Sequence, residues 1–237
     1  MTLSNLLIVQ LFAHILSDFY LQTEKWATAK EEKHFASPYL YFHAAITFLV
    51  AWALSLSLEF APFAAGLAIV HLGIDGAKAK LKGVISKADL FFLDQLLHII
   101  VIIATVYLFD KYTKSHWSML NSFNANTLLA ILGFAIVARP ANFAIREILS
   151  ASDIKFQDAE TGDLPKAGRL IGSLERLLTL LLILADQFAS VGFIIASKSI
   201  LRYKEANSSK TEYVLVGSLL SFGLAIAVGI TIFTLKQ

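Results

Sequence analysis

Three pairs of ionisable residues stand four apart in this chain: His14 and Asp18, His71 and Asp75, Asp94 and His98. Each pair lies within an apolar run. Residues four apart share a helical face, about 40° around the axis and one turn along it, so each pair can aim an imidazole and a carboxylate at one point. An ionisable side chain in a membrane helix costs on the order of 3 kcal/mol on insertion, and residues kept at that cost usually have a function. With His43, the pairs read as a metal site built between helices. Neutral imidazole and carboxylate bind zinc at about 2.0–2.2 Å, and the same donors suit manganese and iron. Four histidines and three aspartates exceed one structural zinc; they suffice for two metals, or for one with a carboxylate shell that orients each imidazole. Gln22, a turn beyond Asp18, and Gln95, beside Asp94, are candidates for binding substrate or for that shell. The His-Glu-x-x-His arrangement of zinc proteases is absent. A plainer alternative is that each buried aspartate satisfies its histidine and ties helices together. The gathering of all seven at one depth favours the metal.

The elements that must position these residues are membrane helices. Hydrophobic residues make up 57% of the 237 and charged residues 16%, against about a quarter charged in a soluble domain. Mean hydropathy is +0.66. The apolar runs are roughly 18–24 residues long, enough to cross about 30 Å of hydrocarbon. The short alternating segments of a β-barrel are missing. The fold class expected is therefore all-α, a polytopic transmembrane bundle. With no cysteine, disulfides and thiolate metal sites are excluded. The first run, about Leu3 to Leu21, lacks a basic start and is interrupted by His14 and Asp18, so it reads as a retained span rather than a signal peptide.

Spans are predicted at about 3–22, 39–58, 61–78, 90–109, 127–148 and 212–235, with a long helical stretch at about 168–203. As one straight helix that stretch would run about 50 Å, so it is one span with amphipathic ends or two that break near Asp186-Gln187. The total is about seven spans, or eight. The connections Glu24–Ser37 (a short surface helix carrying Lys25, Lys30 and Lys33), Gly76–Asp89 (with Lys78, Lys80, Lys82 and Lys87) and Ser150–Arg169 are rich in lysine and arginine; the opposite ones hold only Lys111 and Lys114. Basic loops favour the cytoplasm, which puts the N-terminus outside. Alternating span directions then bring His14, Asp18, His43, His71, Asp75, Asp94 and His98 to one end of spans 1–4, whichever way the protein faces. His34 and His116 lie in polar connections and read as surface residues. Without a repeat or flexible linker, residues 1–237 are expected to form one membrane domain, with 1–110 carrying the cluster and 127–237 supporting it.

The segments Ala13-His14-Ile15-Leu16-Ser17-Asp18-Phe19-Tyr20-Leu21-Gln22, Phe42-His43, Val70-His71-Leu72-Gly73-Ile74-Asp75 and Asp94-Gln95-Leu96-Leu97-His98 resemble a widespread bacterial inner-membrane family of uncharacterised function, with the pattern AHLLgDFxLQ … H … H-xx-iD-xxK … DQxLH. The match covers about the first 110 residues in order and spacing. More distantly, the chain is similar to membrane-bound metal-dependent hydrolases, whose helices carry His/Asp pairs. That similarity implies a hydrolase acting at the membrane face.

In the second half, Arg139, Asn142, Arg146 and Glu147 lie late in span 5, and Arg169, Glu175 and Arg176 begin the next helix. Arginine beside a metal suits phosphate or a phospholipid headgroup; Arg146 and Arg169 more simply snorkel to the interface, while Glu175 and Arg176 can pair with other helices. Lys198, Arg202 and Glu212 reach the same side only if the long stretch folds back. Gly168-x-x-x-Gly172 and Gly217-x-x-x-Ser221 read as helix packing. Trp26, Trp52 and the tyrosines near span ends read as interfacial anchors.

The function expected first is a metal-dependent hydrolase at the cytoplasmic membrane surface, using a divalent metal (zinc first, manganese or iron next) on a lipid-linked or phosphorylated substrate. His14, His71, Asp75, Asp94 and His98 are its ligands; Asp18 and His43 are further ligands or catalytic groups, Asp18 as general base. A metal-acidified water would attack an ester or phosphoester. Next comes a non-enzymatic membrane module with a structural metal or hydrogen-bond cluster. Third is a divalent-metal or proton transporter, disfavoured because such sites sit near the midplane between repeats. Partners are the lipid bilayer and that substrate, with no nucleic acid expected.

Overall fold

The computed structural model describes residues 2–81, 83–113, 118–151, 165–203 and 209–236. The chain is all-helical, with no β-strand among the described residues. It divides into two compact units, Met1–Leu132 and Gly133–Gln237.

In the first unit, α1 (Thr2–Ile15) runs without a break into a π-helical turn, Leu16–Leu21. The chain then bends by 91° into α2 (Glu24–Lys33), capped by the Thr23 hydroxyl, which accepts from Trp26 N at 3.3 Å. After a 3₁₀ turn at His34–Ala36, α3 (Pro38–Ser55) starts with proline in its first turn, where the missing N–H has no helical partner to lose. Leu56, in the left-handed region at φ 52°, ends it. Next come α4 (Ala61–Leu81) and α5 (Lys87–Tyr112); Ser86 caps α5 by accepting from Asp89 N at 3.1 Å. A single helical turn, α6 (Ser118–Asn121), follows.

The unit exposes large apolar side chains and buries a layer of polar ones beside an apolar core. Phe42, Ile69, Val70, Leu96, Ile100 and Tyr107 are exposed, whereas Gln10, His14, His43, Thr47, His71 and His98 are buried. That inversion suits lipid contact. Four-residue steps set the layers. Leu6, Val9, Ala51, Leu67, Ile102 and Val106 form an apolar core. One or two turns further along the same helices stand His14, His43, His71 and His98. At the core end, Asn5 donates through Nδ2 to the carbonyls of Leu120 (3.1 Å) and Phe123 (3.2 Å).

The second unit is built on α7 (Ala125–Ala138, whose first turns belong to the first unit), α8 (Pro140–Ala151), α9 (Pro165–Leu184), α10 (Phe188–Tyr203) and α11 (Ser209–Leu235). The predicted span at 127–148 is bent by 41° at Pro140, which has no N–H to give and whose ring clashes with the carbonyl four residues back. Of the two alternatives for the long stretch, the structure shows the break at Asp186-Gln187, with Asp186 at φ 61°. The stretch folds back there, for Lys198 on α10 pairs with Glu175 on α9. Gly172 lies against Arg176 and Ser221 (3.4 and 3.9 Å from its added Cβ position), and Gly217 against Leu149 (3.7 Å), as packing requires; Gly168 meets open space. The tightest approaches within this unit are elsewhere, with Gly133 against Ile232 and Gly229 against Ile183.

Among the described residues, four helices are long and apolar enough to cross a membrane: Pro38–Ser55, Leu58–Lys78, Lys87–Tyr112 and Leu215–Leu235. The number rises to six if each bent pair, Asn5–Leu21 with Glu24–Ala36 and Ala125–Ala138 with Pro140–Ala151, counts as one span. Neither α9, with its Glu175 and Arg176, nor α10, at 16 residues, is among them. Lys114, His116 and most of the acidic-basic loop at 152–164 lie outside the described residues.

Candidate metal centre

All seven predicted residues converge at one end of the first unit. Asp18 is the hub. The π-turn hydrogen bond from Gln22 N to Ser17 O (3.1 Å) widens the helix there and sets the direction of Asp18. Its Oδ1 lies 3.6 Å from His14 Nδ1, 3.4 Å from His43 Nε2 and 3.5 Å from His71 Nε2. The same oxygen is buried and accepts no hydrogen bond. His43 Nε2 and His71 Nε2 share one hydrogen bond of 2.9 Å. The His98 ring sits over that of His71, with centroids 4.0 Å apart, and neither of its nitrogens has a hydrogen-bond partner.

His14 is oriented from behind. Its Nε2 lies 3.2 Å from Gln95 Oε1, and the Gln95 amide nitrogen donates to Asp94 Oδ2 at 3.0 Å. A carboxylate must face the amide N–H, so the amide oxygen faces His14 and accepts from Nε2. In the neutral ring, Nδ1 is then a lone pair, aimed at a carboxylate oxygen that also carries only lone pairs. Two acceptors facing each other at 3.6 Å are stable around a shared cation. An imidazole whose far nitrogen donates to a fixed acceptor is the usual arrangement for a metal ligand.

The donor set fits a metal. His14, Asp18, His71 and His98 each offer an atom within 4.8 Å of the others; His43, His71 and Asp75 form a second such group, and Asp75, Asp94 and His98 a third. With metal–ligand bonds of about 2.0–2.1 Å, tetrahedral ligands stand about 3.3 Å apart, close to the spacings around Asp18 Oδ1.

Two lysines belong to the cluster that sequence reasoning assigned to basic connections. Lys30, on the helix expected at the surface, is buried; its Nζ donates to Gln22 Oε1 at 2.6 Å and lies 2.5 Å from Asp75 Oδ2. Lys78 Nζ lies 2.7 Å from Asp94 Oδ2. Lys78 had a local signal, three residues after Asp75 and on the same helical face; Lys30 had none. Gln10, four residues before His14, was also passed over. It is buried, donates to Ala51 O at 2.9 Å and lines a small cavity with His14, Thr47, His71 and His98; the space suits about one water. His34 is half-buried at the end of α2.

The second unit holds a separate polar group. Arg176 is 2% exposed. It donates to Val137 O (2.7 Å), Ser221 Oγ (2.8 Å), Asn142 Oδ1 (2.6 Å) and Ser173 Oγ (3.1 Å). The guanidinium thus donates to a carbonyl in the last turn of α7, at the C-terminal, negative end of its dipole. Arg146 pairs with Glu147 at 3.3 Å and is exposed, as expected at an interface. The side chains of Arg169, Arg202 and Glu212 lie outside the described residues.

The molecule is thus an all-helical membrane protein with a buried histidine–aspartate cluster at one end of a helical unit. Residues 6–128 match the family described as protein of unknown function DUF3307, and the chain belongs to that family. The matched segment contains all seven cluster residues and both lysines. No curated protein and no solved structure matches the chain.

Proposed function

We propose that this protein is a metal-dependent hydrolase of the bacterial inner membrane, with its N-terminus outside and its centre at the cytoplasmic face, acting on a lipid-linked or phosphorylated substrate. One observation carries the reading: Asp18 Oδ1, buried and without a hydrogen bond, has three imidazole nitrogens within 3.4–3.6 Å. Two of those imidazoles, His14 and His71, hold the ion with Asp18 and with His98, which joins them in one donor group, and zinc suits such a set of three imidazoles and a carboxylate best. A divalent ion there supplies a Lewis acid and an acidified water. Around it, Gln95 orients His14, and His43 is placed to exchange a proton with His71 or Asp18.

The test is elemental analysis of the detergent-purified protein beside a His71→Ala/Asp94→Ala double variant, followed by hydrolysis assays on phospholipids. The expected result is bound zinc, manganese or iron that the folded double variant lacks. Absence of metal from the wild type, after reconstitution with those ions, would overturn it. A second reading, a non-enzymatic module stapled by the cluster, is favoured by the Lys30–Asp75 and Lys78–Asp94 pairs, which join separate helices. It predicts that variants lose stability while the wild type turns over no substrate.

A further inference from the structure

Three donor groups overlap in the cluster, enough in principle for two ions. The second and third groups both need Asp75, and the third also needs Asp94. Those are the two carboxylates already held by ammonium groups: Lys30 on Asp75 Oδ2 at 2.5 Å and Lys78 on Asp94 Oδ2 at 2.7 Å. Asp18, in the first group, pairs with no lysine among the described residues. We propose that Lys30 and Lys78 take the place of a second metal ion, so that the centre binds one divalent ion, at His14, Asp18, His71 and His98. This rests on the metal centre proposed above.

The argument is one of charge and of donors. Three carboxylates against two ammonium groups leave a single negative charge, and it falls on Asp18, whose Oδ1 faces His14 Nδ1, His43 Nε2 and His71 Nε2. A second dication at the Asp75–Asp94 side would meet two ammonium groups at contact distance, in a buried site where such repulsion is poorly screened. Lysine suits the role because its ammonium is a compact point charge with three donors. Lys30 spends one of them on Gln22, and Gln95 joins Lys78 on Asp94 Oδ2, so both pairs are braced by neutral amides. The first group has no such competitor: His98 offers two unpartnered nitrogens, and its ring is 2% exposed.

Zinc titration of the metal-stripped protein in detergent, read by elemental analysis after desalting, tests the proposal. The wild type is expected to saturate at one equivalent. The Lys30→Met/Lys78→Met double variant, prepared in the presence of zinc, is expected to hold two, and Lys78→Arg, which keeps the cation, one. Two equivalents in the wild type would overturn the lysine assignment while leaving the metal centre standing. One equivalent in a folded double variant would overturn it too. If the double variant does not fold, the single variants Lys30→Met and Lys78→Met are read in the same way. No zinc in the wild type would remove the metal centre and this inference with it.

Discussion

Gln95 is where the chemistry of single residues can be tested most cleanly. It touches no proposed reacting atom, yet it fixes which nitrogen of His14 faces Asp18. Gln95→Leu keeps the volume and removes the acceptor, so zinc affinity is expected to fall about 10–100-fold with the fold intact; competition with a chromophoric chelator measures it, and unchanged affinity would show that His14 is not oriented this way. The seven cluster residues were legible because an ionisable side chain in an apolar run has no ordinary reason to be there. Lys30 was not legible. It sits among Lys25, Lys33 and Glu31–Glu32, where one more lysine reads as a solvated charge, and only the 91° bend after Leu21 carries it onto Asp75. Gln10 was missed because an uncharged amide barely disturbs an apolar run.

At the scale of elements, α2 is held in place by a close approach on α4. The Phe35 ring fills the space a Cβ on Gly76 would occupy, whereas a Cβ on Gly73, three residues earlier, meets nothing within 4 Å. Gly76→Val should therefore displace the end of α2 and loosen Lys30, at a cost of about 1–3 kcal/mol. Gly73→Ala should be neutral, or stabilising by about 0.5–1 kcal/mol. Thermal unfolding in detergent compares them; equal effects would mean that Phe35 does not anchor α2. In the second unit, Arg176→Lys is expected to destabilise by about 3 kcal/mol, since one ammonium cannot reach four acceptors on separate segments. A denaturant titration reads that loss. Helix positions followed from apolar run length, while polarity at Asp186-Gln187 marked a break there as one of two alternatives. The Pro140 bend escaped because the run around it stays apolar and proline is tolerated in membrane helices when neighbouring groups satisfy the freed carbonyls.

For the whole molecule, sidedness is the property still to be read. The chain has no cysteine, so single cysteines introduced at Glu59 and Val84, both exposed, report without background. In intact cells an impermeant maleimide is expected to label Glu59→Cys and spare Val84→Cys; the reverse pattern would invert the proposed orientation. The Lys30–Asp75 pair, 45 residues apart in sequence, bears on how the protein is made. During synthesis Asp18 and Lys30 emerge before any of α3, α4 and α5, so for a time the growing chain carries a carboxylate without His43 or His71 and an ammonium without its aspartate. The early helices are therefore poor residents of the bilayer on their own, and it is the arrival of α4 and α5 that turns them from a burden on the insertion machinery into a settled bundle.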